Sequence, residues 1–360
     1  MPIQLRRGRV VEVLEARPDR AVLAVEVGGE RAEAIAYTTL TGPVAAGDEV
    51  VLNVTAVALG LGTGGRHFVV GRLGGEAEAQ QVPGHVMKLR YTPLQFSVLA
   101  AEEEQSPHHD AVAACASLDG LPVIACSLHS MVGPAAAGVK AAAPQARVAY
   151  VMTDAAALPL ALSDLVARLR EAGLLDATIT CGQAFGGDHE AVNLHSALLA
   201  ARCVANADVA IVAQGPGNVG TRTDWGFGGV EQGEIINAAA VLGGRPVAVP
   251  RIGFADPRPR HRGLSRHAVI ALGRVALLPA DVVVPRMAED RSREVMQALE
   301  SAGIAAKHRI VTEDGAPGMA LLQARGIEAV SMGRSFEQEP EYFLAAAAAG
   351  AHAARLHGAG

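Results

Sequence analysis

The chain has 360 residues, half of them apolar, and a formal net charge of −6. That length allows one large core and one smaller one, and the mild acidity argues against a nucleic-acid binder, which would show a basic domain or stripe. Aromatic residues make up only 3%, so the core has to be built from Ala, Val, Leu and Ile.

The N-terminal stretch MPIQLRRGRVVEVLEARP carries basic residues without an apolar segment, so it does not read as a secretion signal. No uncharged apolar run approaches the ~20 residues that cross a bilayer. A cytoplasmic protein that does not enter membranes is expected. Cys115, Cys126, Cys181 and Cys203 are dispersed without a CxxC pair, as befits buried structural thiols in a reducing compartment.

Residues 1–75 read as a small β-barrel of the SH3-like or OB-like kind. Five short strand patterns, Gly8–Ala16, Ala21–Val27, Arg31–Ala36, Glu49–Val54 and His67–Leu73, are separated by turn signals such as Gly28-Gly29 and Gly47-Asp48. A polar linker over 76–84 follows, within GGEAEAQQVP and the next glycine.

From residue 85 to 360 apolar runs alternate with helical segments, which predicts an α/β domain with a mainly parallel, doubly wound sheet. Strands are expected at Val86–Arg90, Pro122–Ser127, Arg147–Met152, Ala177–Cys181 and Asp208–Ala213, then at Pro246–Val249, Asp281–Val284, His308–Thr312 and Glu328–Ser331. Among the helices, one over Asp110–Leu118 is capped by Ser106-Pro107 and another covers Glu190–Ala205. The Ala-rich segment Glu341–Arg355 is helical by propensity.

In open parallel sheets ligands bind beyond the carboxyl ends of the strands. There this sequence places acids, bases and small residues: His129 after one strand, Asp154 after the next, then Asp256 and His261 further on. These four are the candidate acid/base groups.

The longest signal is DVAIVAQGPGNVGTRTDWGFGGVEQGE, a buried strand that opens into a glycine-rich loop. Gly215, Gly217 and Gly220 match GxGxxG, but ten residues without helix follow, so a dinucleotide fingerprint is rejected. A backbone cradle for an anion remains, with Asn218 and Thr221 beside it and Trp225 and Phe227 as a lid or stacking pair. Glu231 near the next helix start either favours the helix dipole or faces ligand. Arg251, Arg258 and Arg262 form the other half of the expected anion site, since guanidinium forks suit phosphate or carboxylate.

Gly133 to Lys140 resembles a phosphate-binding P-loop but misplaces the lysine and lacks the following Ser or Thr. Asp188-His189 and His108-His109-Asp110 offer metal-type side chains without a recognisable spacing. Metal and cofactor stay unassigned.

Four stretches together resemble a bacterial family known as domain of unknown function 3866: Leu52–Val70, Arg147–Ser163, Gly215–Glu234 and Gly243–Gly263. The resemblance covers nearly the whole chain and carries no activity. It implies that the barrel and the α/β domain belong together. The expected function is that of a hydrolase or group transferase acting on a small anionic metabolite, phosphorylated or nucleotide-like. The alternative is a non-enzymatic metabolite-binding protein or an oligomeric scaffold. A two-fold dimer is the default assembly.

Overall fold

The computed structural model describes residues 3–62, 64–74 and 84–358. Of the expected linker 76–84, only Gly84 is among them. The chain divides into two compact units, one of Met1–Pro83 with Leu89–Ser97, the other of Gly84–Lys88 with Val98–Gly360.

The first unit is a closed five-stranded barrel. Its strands are β1 (Leu5–Ala16), β2 (Arg20–Val27), β3 (Glu30–Tyr37), β4 (Glu49–Asn53) and β5 (His67–Arg72). They close in the order β1-β2-β3-β5-β4, with only β3 and β5 parallel. Two register shifts in β1 let one strand bend enough to pair with both β2 and β4. Leu23, Val25, Val50 and Leu52 fill the interior.

The second unit is built on an eight-stranded, all-parallel sheet. In chain order the strands are β6 (Pro122–Ala125), β7 (Val148–Thr153), β8 (Ala177–Cys181), β9 (His189–Ala191), β10 (Val209–Gln214), β11 (Arg245–Ala248), β12 (Asp281–Pro285) and β13 (Arg309–Glu313). Across the sheet the order is β9-β8-β7-β10-β6-β11-β12-β13. Both faces are covered, so the strands are apolar on both sides. Along β7, Val148, Tyr150 and Met152 join one core while Ala149 and Val151 join the other.

The first face carries α1 (Val132–Ala142), α2 (Asp164–Glu171), α7 (Ala316–Ala324) and α8 (Pro340–Gly358). The second carries α3 (Leu194–Cys203), α4 (Gln232–Val241), α5 (Arg266–Ile270) and α6 (Glu289–Ser301). From β6 the chain runs through α1 and α2 to β7 and β8 on one side. It then returns by α3 to β10, which slots between β7 and β6, and continues by α4 to β11 beyond β6. Connections after β6 and after its neighbours β10 and β11 thus leave toward opposite faces. That reversal opens a crevice at their carboxyl ends.

Several boundaries differ from expectation. The helix expected from Glu190 begins at Leu194, because Glu190 sits in β9 and Asn193 forms a capping box with Ser196. The helix expected after Ser106-Pro107 starts at His109, and the Ser106 hydroxyl accepts the His108 N–H. Val330–Ser331 pairs antiparallel with Arg334–Ser335, outside the main sheet, as does Val86–Lys88 lie outside it. No helix among the described residues is long and apolar enough to cross a membrane.

The P-loop-like segment has a packing role. Gly138 lies in α1, where a Cβ would stand 2.0 Å from the Ala347 carbonyl oxygen of α8. Lys140 is paired with Asp176 at 2.9 Å.

Candidate functional site

The crevice at the sheet's switch point holds a cleft of about 670 Å³. Three connections supply its polar floor: the turn after β6 with His129 and Ser130, the glycine loop after β10, and the loop after β11 beginning at Arg251. Five arginines line it, Arg168, Arg222, Arg251, Arg258 and Arg260, against two carboxylates, Asp164 and Glu328.

Close packing shapes the glycine loop. A Cβ on Gly215 would stand 2.5 Å from the Ala157 carbonyl oxygen, and one on Gly229 would stand 2.6 Å from that of Ser127. Gly217 differs, since its φ of +99° has open space around it; backbone in that region favours glycine. Asn218 fixes the turn, its side-chain oxygen accepting from the Gln214 amide at 2.8 Å and the Gly229 N–H at 3.2 Å. Gly220 then bridges to Phe227, closing the loop as a hairpin before α4.

The arginine loop is equally fixed. Glu339, buried before α8, accepts the N–H groups of Phe254 at 2.6 Å and Ala255 at 2.9 Å. Asp256 is held bidentately by Arg258 at 2.8 and 2.6 Å, and Arg334 donates to it at 3.1 Å. These hydrogen bonds hold its carboxyl far below the usual carboxylate range. Asp256 therefore acts as a counter-ion, ionised throughout the neutral range.

Arg251 is in a different position. It is buried, and its ion-pair contact is to Asp256 at 3.5 Å, an oxygen that Arg258 already holds at 2.6 Å. Burial lowers its pKa from the usual arginine value. The guanidinium at the cleft floor is thus weakly compensated by the protein itself.

Three histidines line the cleft, and two are fully engaged. The Tyr150 hydroxyl donates toward the Ala213 and Gln214 carbonyls, so His129 Nδ1 donates to Tyr150 at 3.1 Å. Its Nε2 meets the Ser163 hydroxyl at 2.7 Å, while that oxygen also caps α2 through the Val166 N–H. Burial pushes His129 down to about 4. In His261, Nε2 accepts from Arg260 Nε at 3.1 Å, which leaves Nδ1 to donate to Ser265 at 2.7 Å. Burial first, then the Arg251 charge, push it down to about 3.

His267 is the third. Its ring stacks on Phe227 with centroids 3.8 Å apart and 7° between planes, and meets His261 edge-on at 4.7 Å. Burial, then Arg251, Arg260 and Arg258, push it down to about 4. Among the described residues neither ring nitrogen has a hydrogen-bond partner.

Of the residues singled out in the sequence, His129, His261, Gly215, Gly217, Asn218, Gly220, Arg251 and Arg258 come together in this cleft. The others do not line it. Asp154 accepts the Gln183 N–H at 2.8 Å. Thr221 bonds the Gly226 carbonyl within the hairpin. Trp225 is exposed, with the Arg274 guanidinium 4.7 Å from its ring centroid, and Phe227 lies behind His267. Glu231 accepts the Thr153 hydroxyl at 2.8 Å, and burial raises it to about 7. Arg262 is exposed outside the cleft.

Arg260 and His267 belong to the electropositive run Phe254–His267 that the sequence offers as an anion-binding loop, though neither is singled out within it, and Arg222 carries no sequence signal. The Phe227 stack holds the His267 ring at the site. Arg222 sits at a φ of +66°, a conformation non-glycine residues adopt rarely. Among the described residues no group of three or more His, Cys, Asp or Glu is placed to hold a metal. All four cysteines are unbridged.

Residues 33–350 match the model of a family described as a protein of unknown function, DUF3866. No curated protein and no solved structure matches the chain.

Proposed function

The chain belongs to the DUF3866 family, and from its site we propose that the α/β unit binds a small anionic metabolite at the sheet's switch point. The observation that carries this reading is Arg251. A buried guanidinium lacking a full counter-charge is costly, and a phosphate or carboxylate entering the cleft would complete its pairing. Arg222 and Arg260 stand at the same opening, and the Gly217–Asn218 backbone borders it. Planar, bidentate recognition of such anions is what arginine does best.

Titration calorimetry with inorganic phosphate and a panel of phosphorylated and carboxylate metabolites tests the proposal. Wild type is expected to bind members of the panel, and Arg251→Gln to weaken them at least tenfold, as for the loss of a charged hydrogen bond of roughly 1.5–3 kcal/mol. No binding, or equal binding by the variant, refutes it.

Hydrolysis or group transfer at that anion is a second reading, favoured by the unpartnered ring nitrogens of His267. The imidazole is neutral at pH 7, and an anion bound at Arg251 raises its lowered pKa toward the range where it can act as a base. His129 and His261 lack that freedom in the observed network. On this reading His267→Asn keeps ligand affinity while turnover of the bound compound falls at least a hundredfold. Unchanged turnover removes His267 from the chemistry.

A further inference from the structure

The cleft has two chemically different walls. The segments after β10 and β11 supply Arg222, Arg251, Arg258, Arg260, His261 and His267. The opposite wall carries an aliphatic strip, Leu128, Pro134, Leu165 on α2, Leu322 on α7 and the Ala329–Val330 segment, alongside the charged Asp164, Arg168 and Glu328. Val330 is 45% exposed, so a bound molecule has apolar surface to cover. Met332 joins the two walls, its sulfur 3.4 Å from Arg258 and 3.8 Å from Arg251.

Size and composition narrow the ligand. A space of about 670 Å³ is far larger than one inorganic anion and matches drug-sized molecules. Among the described residues no Phe, Tyr or Trp lines it, and Phe227 is already covered by His267. A nucleobase would find no Phe, Tyr or Trp face to stack on, only the histidine rings and guanidinium planes of the charged wall.

Resting on the anion-binding reading, we infer that the ligand is two-ended: a phosphate or carboxylate head joined to an aliphatic body, and not a nucleotide. The head meets Arg251 and its neighbours. The body lies against Leu165, Leu322 and Val330, where each methylene removed from water adds to affinity.

Titration with inorganic phosphate, AMP, and linear alkyl phosphates from butyl to octyl, alongside the matching alkyl carboxylates, tests this on the full chain. Affinity is expected to rise about threefold to fourfold per methylene in at least one alkyl series, with AMP binding more weakly than butyl phosphate. The alkyl series that shows the gradient identifies the head group, and either satisfies the proposal. In Val330→Asp and in Leu165→Gln the ratio of octyl to butyl affinity is expected to fall at least tenfold. Phosphate binding with a flat chain-length series, tighter AMP, or an unchanged ratio in both variants overturns this inference and leaves the anion site standing. Failure of every anion to bind removes both.

Discussion

Glu231 shows how a single side chain couples this fold to pH. Burial raises its pKa from 4.5 to about 7, against the lowering effect of the Thr153 hydrogen bond. Between those values the folded protein keeps a proton that the unfolded chain releases. Its contribution is complete below about pH 4.5 and is lost as pH rises through 7. Glu231→Gln is therefore expected to stabilise the protein at pH 8 by ~1–3 kcal/mol and to change little at pH 4, read by urea denaturation at both. An equal gain at the two pH values would trace the effect to packing. The histidines act in the opposite sense. His129, His261 and His267 have lowered values, so the stability present above about pH 6.5 falls as pH drops toward 4. At this scale the sequence was partly legible. A residue's place just after a strand puts it at the right edge of the sheet, as for His129 and Arg251. It does not say which neighbour captures the side chain, and so Asp154, equally well placed in sequence, accepts from Gln183 instead.

Among the elements, α8 forms where its sequence predicts a helix and carries more of the core than its composition alone suggests. Alanine-rich sequence predicts helix, and helix forms, but the same alanines also make it apolar all round, the mark of a buried helix. Ala345–Ala349 are fully buried. Small residues let backbones approach: a Cβ on Gly350 would lie 2.1 Å from the Ala135 carbonyl oxygen, and one on Gly318 of α7 would lie 2.7 Å from the Gly138 Cα. A core with so few aromatics gains its density through such contacts. Gly350→Ala is expected to destabilise by ~3 kcal/mol or more, whereas Gly358→Ala, with nothing within 4 Å, should be near neutral. Matching denaturation midpoints for the two would mean that α1 and α8 separate at little cost. Strands were read well because their apolar runs are short and bounded. The cap at Asn193 and the hairpin at Val330 were not, since each depends on contacts made elsewhere in the fold.

Over the whole molecule, the barrel and the parallel sheet were both legible from the change of period after the first strands. The strand order was not. The insertion of β10 between β7 and β6 leaves no local trace in sequence, yet it sets which loops meet. Each unit has its own core, and every residue lining the cleft belongs to the second. Differential scanning calorimetry of the intact chain is expected to resolve two transitions. Phosphate, or a better ligand from the panel, should raise only the one belonging to the α/β unit. One transition that shifts as a whole would show that the units unfold together.

The burial of α8 also bears on how the molecule is made. Its alanines complete the core beneath β6, β10 and β12, and residues 340–358 are synthesised long after those strands. Until they emerge, one face of the sheet lacks its central cover, with Ile124, Ile211 and Val283 lying beneath the gap. A nascent chain in that condition exposes apolar surface of the kind that chaperones hold and that aggregates when unprotected. The barrel faces no such wait, since its five strands are all made within the first 72 residues.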